Sequence, residues 1–254
     1  MEIREVQQAL LPMLRRFDAF CRAQGLRYYL LGGSMLGAVR HGGFIPWDDD
    51  IDVGMPREDY RSFLSLWQSK EERLMSPGCE PGYSFDFAKL IRPVELDGKQ
   101  AEIFLDIFPL DGCPDSSEDG IRRCYERFDR LRVLKNASLV PTEGKPLLRQ
   151  LLIRAARLIP RTLMRKLMDR TLARHRFDES PAVGNFSGHW REKEIMAREI
   201  YGEPKPVRFE DGLFLGVAEP DRYLTRMYGD YMTPPPEAQR LTHLPQERPN
   251  KQTC

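Results

Sequence analysis

The sequence predicts an α+β fold in which a mixed sheet is covered by helices and interrupted by a helical insertion. Two observations support this fold class. Short runs rich in β-branched and aromatic residues alternate with amphipathic stretches in residues 1–111 and again in residues 201–254. Residues 112–200 instead show mainly helical spacing of apolar residues. We therefore expect a core built from 1–111, a helical insertion at 112–200, and a C-terminal hairpin, helix and tail over 201–254 that complete the core.

Length and composition are those of a folded globular protein. The 254 residues are 41% hydrophobic and 30% charged, enough to bury a substantial core. The first 25 residues are amphipathic and contain acidic residues, which predicts that they are not a signal peptide. No run of about 18 apolar residues is present, which argues against a membrane-spanning helix. The five cysteines form no CxxC pair, so we expect reduced thiols and a cytoplasmic protein.

The first part of the chain predicts helices and strands in turn. Residues 2–24 place apolar side chains at three- and four-residue spacings, which indicates an amphipathic helix that ends near Gly25. Strands are then expected at 28–31 and 50–53, with helices at 35–40 and 57–67. Residues 32–34 between the first strand and its helix predict a tight turn, and Pro56 is expected to end the second strand.

Two further strands carry a candidate functional carboxylate. They are predicted at 85–91 and 101–109, joined by a hairpin turn at Asp97-Gly98. Asp106 lies in the middle of the second of these strands, between Leu105 and Ile107. A carboxylate buried there is costly unless another charge or a metal compensates it.

The rest of the chain is predicted to be largely helical. A helix over 115–139, capped by Asp115 or Ser116, is followed by two helices that are separated at Pro160. A helical stretch at 191–198, a hairpin at 209–217 and a helix at 221–228 come next, and the tail to residue 254 is polar.

The two helices around Pro160 form a strongly basic segment, residues 145–176. Ten Lys and Arg against Asp169 alone give it a charge of +9, which leaves −8 for the rest of a chain whose net charge is +1. Basic amphipathic helices bind anionic membrane surfaces, and they also form the solvated faces of ordinary helical layers. The sequence leaves both interpretations open.

Residues 30–55 combine glycines, a serine and four aspartates. Asp50 and Asp52 are two apart on a predicted strand, so their carboxylates project to the same face. Such neighbours repel each other unless a hard cation such as Mg²⁺ lies between them. Gly33 and Ser34 precede a helix, whose first N–H groups attract phosphate. Together these features indicate phosphoryl transfer.

The same residues resemble known families. Gly33-Ser34 followed by Asp50-Ile51-Asp52 is similar to the signature of the nucleotidyltransferase fold of DNA polymerase beta and its relatives. The longer strings at 41–52, 55–60, 104–111 and 228–232 resemble the bacterial LicD family of phosphocholine transferases, which is related to the eukaryotic fukutin group.

The resemblance implies transfer of phosphocholine from CDP-choline to a glycan hydroxyl, with release of CMP. The acceptor would be a cell-surface polysaccharide, a lipopolysaccharide or a teichoic acid precursor. The implied cofactor is one or two Mg²⁺ ions, with Mn²⁺ as an alternative. Asp50, Asp52 and Asp106 would be the metal ligands and catalytic residues, and Asp106 would accept the proton of the acceptor. Gly33 and Ser34 would hold a phosphate oxygen.

Other side chains are candidates for donor binding. Arg40 and Lys89 would neutralise phosphate charge, unless they are simply surface cations. Trp47 would hold the quaternary ammonium by its aromatic face. The rings expected to complete a cage around the ammonium are Phe44, Tyr28, Tyr228 and Tyr231, all of which are equally compatible with core packing. The histidines His41 and His243 are further candidates for phosphate or acceptor contact, and Asp48 and Asp49 are expected to support the site.

Two alternatives remain open. A related enzyme would transfer another phospho-alcohol, such as phosphoethanolamine or ribitol phosphate, or a nucleotidyl group. A non-catalytic module would use the basic segment 145–176 to bind nucleic acid or a membrane, but this leaves the three aspartates unexplained. For the enzyme we expect no nucleic-acid partner, and the basic segment is the candidate for contact with the inner face of the membrane.

Overall fold

The computed structural model describes residues 2–79, 83–137 and 139–240. The chain divides into two compact units, one from Met1–Phe108 with Tyr201–Cys254 and the other from Pro109–Ile200. The helices are α1 (Ile3–Gln24), α2 (Gly32–His41), α3 (Arg57–Leu66), α4 (Glu118–Ala137), α5 (Leu147–Arg157), α6 (Arg161–Leu172), α7 (Arg198–Tyr201) and α8 (Pro220–Tyr228). The strands are β1 (Tyr29–Leu30), β2 (Ile51–Pro56), β3 (Arg73–Met75), β4 (Ala88–Leu96), β5 (Lys99–Cys113), β6 (Ala182–Asn185), β7 (Ile195–Ala197), β8 (Lys205–Phe209) and β9 (Gly212–Gly216).

In the first unit a sheet with the order β1-β2-β5-β4-β3 is covered by helices. The predicted hairpin is confirmed, because β4 and β5 pair from Ala88↔Ile107 to Leu96↔Lys99 around a turn at Asp97 and Gly98. Both turn residues have positive φ angles, 51° and 68°, as a two-residue hairpin requires. The α+β class with a helix-covered sheet is confirmed.

The long N-terminal helix also follows its prediction. α1 begins with a reciprocal capping box between Glu2 and Glu5 and ends at Gly25, whose φ of 65° is left-handed. Its apolar stripe lies in the core, where Phe17 packs against the rings of Tyr28 and Phe63. This packing anchors the start of β1 beneath the helix.

Two boundaries near the aspartates differ from the prediction. α2 begins at Gly32, so both glycines lie in the first turn of the helix and not in a separate turn before it. The helix starts early because the Met35 N–H donates to the carbonyl of Leu31, which is the N-cap residue. β2 begins at Ile51, so Asp50 lies one residue before the strand and only Asp52 lies within it.

The second unit contains the strands β6 and β7, which belong to the same seven-stranded sheet as β5, and three long helices. Residues 110–113 at the end of β5 pair with β6, and β6 pairs with β7. The rings of Tyr125 and Phe128 on α4 are buried in its core beside Phe186. In the described part of the chain, no helix is both long enough and apolar enough to cross a membrane.

Two predictions in this unit were wrong. The stretch 191–198 is not a helix: Arg191–Glu194 is a short 3-10 turn, and β7 then pairs with β6 through Gly184↔Ile195. Strand pairing with a distant segment overrides the helical composition of this stretch. The cap of α4 is also displaced, because the Gly120 N–H donates to Ser117 Oγ.

A buried carboxylate holds the loop after β6. Glu194 accepts hydrogen bonds from Asn185 Nδ2 and from the Trp190 N–H, each at 2.8 Å. It fills the space above Gly188, where any added Cβ would meet its carboxylate oxygens. Burial raises the pKa of Glu194 from 4.5 to about 7, although both hydrogen bonds oppose the shift.

Glu194 should therefore make stability depend on pH. A folded-state pKa above the unfolded value stabilises the fold at low pH, and this stabilisation is lost as the pH rises through about 7. The loss should total about 3 kcal/mol. Urea unfolding of wild type and Glu194→Gln between about pH 4.5 and pH 8 should show a loss of stability that is larger in the wild type by this amount.

The exposed carboxylate of Glu199 provides a matched control, and Glu199→Gln should follow the wild-type pH dependence. An equal slope in wild type and Glu194→Gln would show that Glu194 does not cause the effect.

Candidate active site

The carboxylates of Asp48 and Asp50 lie together just before β2. Their side chains share a hydrogen bond. Burial raises the pKa of Asp48 to about 8, and the negative charge of Asp50 raises it further in the same direction. The segment that precedes β2 therefore concentrates negative charge in a partly buried place.

The start of α2 accommodates these carboxylates because it is built from glycine. A Cβ added to Gly33 would lie 2.6 Å from Asp48 Oδ2, and one added to Gly32 would lie 3.2 Å from Asp52 Oδ2. Gly32 also has a positive φ of 50°, which other residues rarely adopt. The two glycines thus let carboxylates approach the positive end of the helix.

Hydrogen bonds fix β2 against this helix start. The Asp52 N–H donates to Ser34 Oγ at 2.9 Å, and the Leu31 N–H donates to the Asp52 carbonyl at 3.0 Å. Ser34 is itself buried. The predicted residues Gly33, Ser34 and Asp52 are therefore brought together, and the hydroxyl of Ser34 positions the backbone of Asp52.

Asp106 lies on β5, the strand beside β2, and is paired with Lys89. The two residues are directly opposite each other on β4 and β5, and Lys89 Nζ donates to both carboxylate oxygens at 2.6 and 2.7 Å. Burial, together with the charge of Asp50, raises the pKa of Asp106 to about 6 against the opposing effect of Lys89. The field of Asp50 thus reaches Asp106, and Lys89 is not a surface cation.

Aromatic rings surround the ammonium group of Lys89. Its Nζ lies 4.0 Å from the ring centroid of Phe104, 4.8 Å from that of Phe85 and 5.2 Å from that of Phe87. Phe85 is half exposed, whereas Phe87 stacks at 4.3 Å on Phe108. This aromatic cluster, which consists of Phe85, Phe87 and Phe104, lies beside Asp106 and encloses a cation with aromatic faces.

The carboxylate oxygens in this region are suitable ligands for a hard divalent cation. Asp50 acts electrostatically on both Asp48 and Asp106, and its charge adds to the larger effect of burial in raising the pKa of each. Oxygen ligands with excess negative charge are those that Mg²⁺ prefers. Within the ranges 2–79, 83–137 and 139–240, no three His, Cys, Asp or Glu side chains are already arranged as a metal site. In this arrangement Lys89 engages both oxygens of Asp106.

Arg40 is held at the far end of α2. Its guanidinium donates to the carbonyl of Tyr231 at 2.7 Å and to His41 Nε2 at 3.0 Å. Burial lowers the pKa of Arg40, and Tyr228 opposes this shift. The hydroxyl of Tyr228 lies 3.7 Å from the Cβ position of Gly32, so Tyr228 connects the surroundings of Arg40 with the helix start.

The aromatic cage predicted around Trp47 is not the one that the structure contains. Tyr28 is fully buried and donates its hydroxyl to Asp18, while Phe44 packs against Phe209. One face of Trp47 is covered by the guanidinium of Arg240 at 4.4 Å. Tyr28 and Phe44 are therefore core residues, and Trp47 already contacts a cation of the chain itself. His243 lies outside the described residues.

Sequence reasoning missed Tyr223 and underestimated Asp48. The Gly32 N–H donates to Tyr223 Oη at 3.0 Å, so α8 fixes the first turn of α2. The only sequence signal for Tyr223 was its place on the apolar side of the predicted helix. Nothing local indicated that its partner would be Gly32.

The chain is similar to one protein family and to several transferases of known name. The family described as "LicD/FKTN/FKRP, nucleotidyltransferase domain" matches residues 25–127. Lipopolysaccharide cholinephosphotransferase LicD of Haemophilus influenzae is 31% identical over 266 residues, which cover 96% of this chain and 97% of that protein. Human ribitol 5-phosphate transferase FKRP is 50% identical over 52 residues, or 20% of this chain and 10% of that protein, and mouse FKRP matches equally.

The Lys89–Asp106 pair should show strong energetic coupling. Lys89→Met leaves a buried carboxylate without its cation, and Asp106→Asn leaves a buried ammonium without its anion. Each single change should cost about 3–5 kcal/mol, because an uncompensated buried charge remains. The double variant should lose much less than the sum of the two, as measured by urea unfolding in a double-mutant cycle.

The exposed pair Arg122–Asp119 serves as the control, with side chains 59% and 70% exposed. Arg122→Met should change stability by less than about 1 kcal/mol. Additive effects of Lys89→Met and Asp106→Asn would contradict the coupling.

Proposed function

The chain belongs to the LicD family, and from this membership and the carboxylates around the start of α2 we propose that it transfers phosphocholine from CDP-choline to a glycan hydroxyl. Transfer of a phospho-alcohol is the activity common to the names of the relatives, one a cholinephosphotransferase and the other a ribitol 5-phosphate transferase. The observation that carries the proposal is the position of Asp52 against the glycine-lined first turn of α2, where Ser34 fixes its backbone. The charge of Asp50 in addition acts on Asp106, which lies on the strand next to β2.

We further propose that residues 1–108 with 201–254 have the nucleotidyltransferase fold of the DNA polymerase beta type. The matching family is described by that domain name. Two structural features support the proposal: β2 carries Asp52 beside the first turn of α2, and the neighbouring strand β5 carries Asp106.

The proposed reaction is a substitution at the phosphorus that bears choline. The acceptor hydroxyl oxygen forms a bond to this phosphorus, and the bond from phosphorus to the bridging oxygen of the diphosphate breaks. The electron pair of that bond leaves with CMP, and the hydroxyl proton passes to a base. Asp106 is the proposed base, because the positive charge of the neighbouring Lys89 favours the ionised carboxylate, which is the form that accepts a proton.

The proposed cofactor is Mg²⁺, one or two ions, with Mn²⁺ as the alternative. Asp50, Asp52 and Asp106 would hold it. When bound it would neutralise the charge of the diphosphate and orient the acceptor hydroxyl. If Asp106 ligated the ion, its carboxylate would release contacts with Lys89, and the ammonium would then be able to neutralise phosphate charge.

The chain itself provides the remaining contacts. The N–H groups of Gly33 and Ser34, in the first turn of α2, are the proposed donors to a phosphate oxygen. Ser34 acts also through its hydroxyl, which positions Asp52. Arg40 is a candidate for contact with the donor at the side of the site where Tyr228 lies, because Tyr228 is close both to Arg40 and to Gly32 at the helix start.

The aromatic cluster is the proposed location of the choline group, in place of the cage around Trp47. Phe85, Phe87 and Phe104 already surround the ammonium of Lys89 beside Asp106. The exposed face of Phe85 provides access from solvent. A trimethylammonium group gains about 0.5–2 kcal/mol from such faces, whereas an uncharged alcohol does not.

Transfer of ribitol phosphate is the alternative, and the local similarity to FKRP favours it. The two functions differ in the charge of the transferred alcohol. Substitutions in the aromatic cluster should therefore distinguish the two functions. Substitutions of the aspartates should not, because both reactions require them.

Removal of one carboxylate should abolish metal binding and activity together. Asp52→Ala should weaken Mg²⁺ binding by about two orders of magnitude, because a charged ligand is lost. Titration calorimetry measures the binding, and CMP release from CDP-choline measures the activity. The control is Asp119→Asn, which replaces an exposed carboxylate on α4. Unchanged Mg²⁺ affinity of Asp52→Ala would refute the metal assignment.

The KM values of Phe85 variants should show which nucleotide-linked donor the protein uses. Phe85→Leu should raise the KM for CDP-choline about threefold to twentyfold, since one cation–π contact is lost. The KM for CDP-ribitol should not change, and Phe85→Tyr, which keeps the aromatic face, should behave as wild type. CMP release from CDP-ribitol but not from CDP-choline, with the same glycans and Mg²⁺, would establish the ribitol alternative.

A further inference from the structure

The basic segment carries leucines that the fold leaves in solvent. Seven are exposed between residues 147 and 167, with exposed fractions from 36% to 83%. We call them the leucine face: Leu147, Leu148, Leu151, Leu152, Leu158, Leu163 and Leu167. Single exposed apolar residues are common, but a concentration of this kind marks an interaction surface.

These leucines are not the core-facing side of their helices. α5 buries Ile153 and Ala156, and α6 buries Met164, Met168 and Leu172. On α5 the four exposed leucines have spacings of one and four residues, which places them on one side of the helix. Both helices therefore have one apolar side that faces the second unit and another that faces solvent.

Basic side chains lie among the leucines. On α5, Arg149 and Arg154 are exposed, and on α6 Lys166 and Arg170 are exposed within one turn of Leu163 and Leu167. Asp169 is the single acidic residue among the ten basic ones of the segment. The surface therefore combines apolar side chains with strong positive charge.

We propose that the leucine face and its basic residues bind the surface of an anionic lipid bilayer. The leucines would enter the boundary between headgroups and acyl chains, while the Arg and Lys side chains contact lipid phosphates. The helices would lie on the surface, which agrees with the finding that no described helix suits a membrane span.

Charge distinguishes a bilayer from other occupants. A second copy would bring two segments of +9 into contact, and the repulsion opposes association. Nucleic acid would pair with the basic residues but would leave the leucines in water. An anionic bilayer would both remove the leucines from water and pair with the basic side chains. The proposal concerns only the second unit and does not depend on the proposed reaction.

The full chain should be tested by sedimentation with phosphatidylcholine vesicles that either contain or lack phosphatidylglycerol. The choline headgroup is present in both vesicles, so binding through a choline site would not distinguish them. We expect binding to the anionic vesicles at low salt, reduced by high salt. Replacement of Leu147, Leu148, Leu151 and Leu152 by Gln should weaken it about tenfold or more.

Replacement of Arg149, Arg154, Lys166 and Arg170 by Gln should weaken binding about fivefold for each residue. The matched control replaces Leu66 and Leu213, which are 48% and 63% exposed in the other unit, and should bind as wild type. All variants alter exposed positions, and circular dichroism checks that they fold.

Four results would overturn the proposal. The first is equal affinity for neutral and anionic vesicles, and the second is binding that the leucine replacements do not change. The third is a dimer in light scattering that the leucine replacements dissociate, which would show that a second copy covers the face. The fourth is salt-dependent binding to duplex DNA without binding to anionic vesicles.

Discussion

The crowding of carboxylates at the first turn of α2 is the constraint on which the first unit depends. Like charges this close are stable only if the backbone makes room for them and a positive group faces them. Gly32 and Gly33 make the room, since a side chain there would meet Asp52 or Asp48. The helix start supplies partial positive charge. Ser34 and Tyr223 then fix the helix to β2 and α8, so the glycines, the strand and the C-terminal helix serve one electrostatic arrangement.

Lys89 extends the same arrangement to β5. Its ammonium compensates Asp106 in a buried position where an isolated carboxylate would be costly, and three aromatic rings enclose the remaining faces of the cation. The chain thus contains an internal cation beside the proposed metal ligands. The ammonium compensates the buried carboxylate in the fold as it stands. If the carboxylate ligates a metal as proposed, the ammonium would be free to pair with a phosphate instead.

The sequence predicted what local chemistry determines and missed what distant pairing determines. The resemblance to the LicD family, the Asp97-Gly98 hairpin and α1 were predicted and are confirmed, because each depends on neighbouring residues. Ser34 and Asp52 were both predicted to belong to the site, but the hydrogen bond between them was not predicted. The strands β6 and β7, the guanidinium of Arg240 on Trp47 and the cluster of Phe85, Phe87 and Phe104 were not predicted. Each joins residues that are brought together only by packing, and an aromatic residue alone does not indicate its partner.

Each of the two units contains groups that its own residues do not fully compensate or cover. The first unit buries carboxylates close to one another, and burial together with the charge of Asp50 raises the pKa of both Asp48 and Asp106. The second unit exposes leucines that its own core does not cover. On the proposals made above, a hard cation with a diphosphate would offset the carboxylate charge of the first unit, and an anionic bilayer would cover the leucines of the second. Because the two features lie in separate units and respond to different ligands, each proposal stands or fails independently of the other.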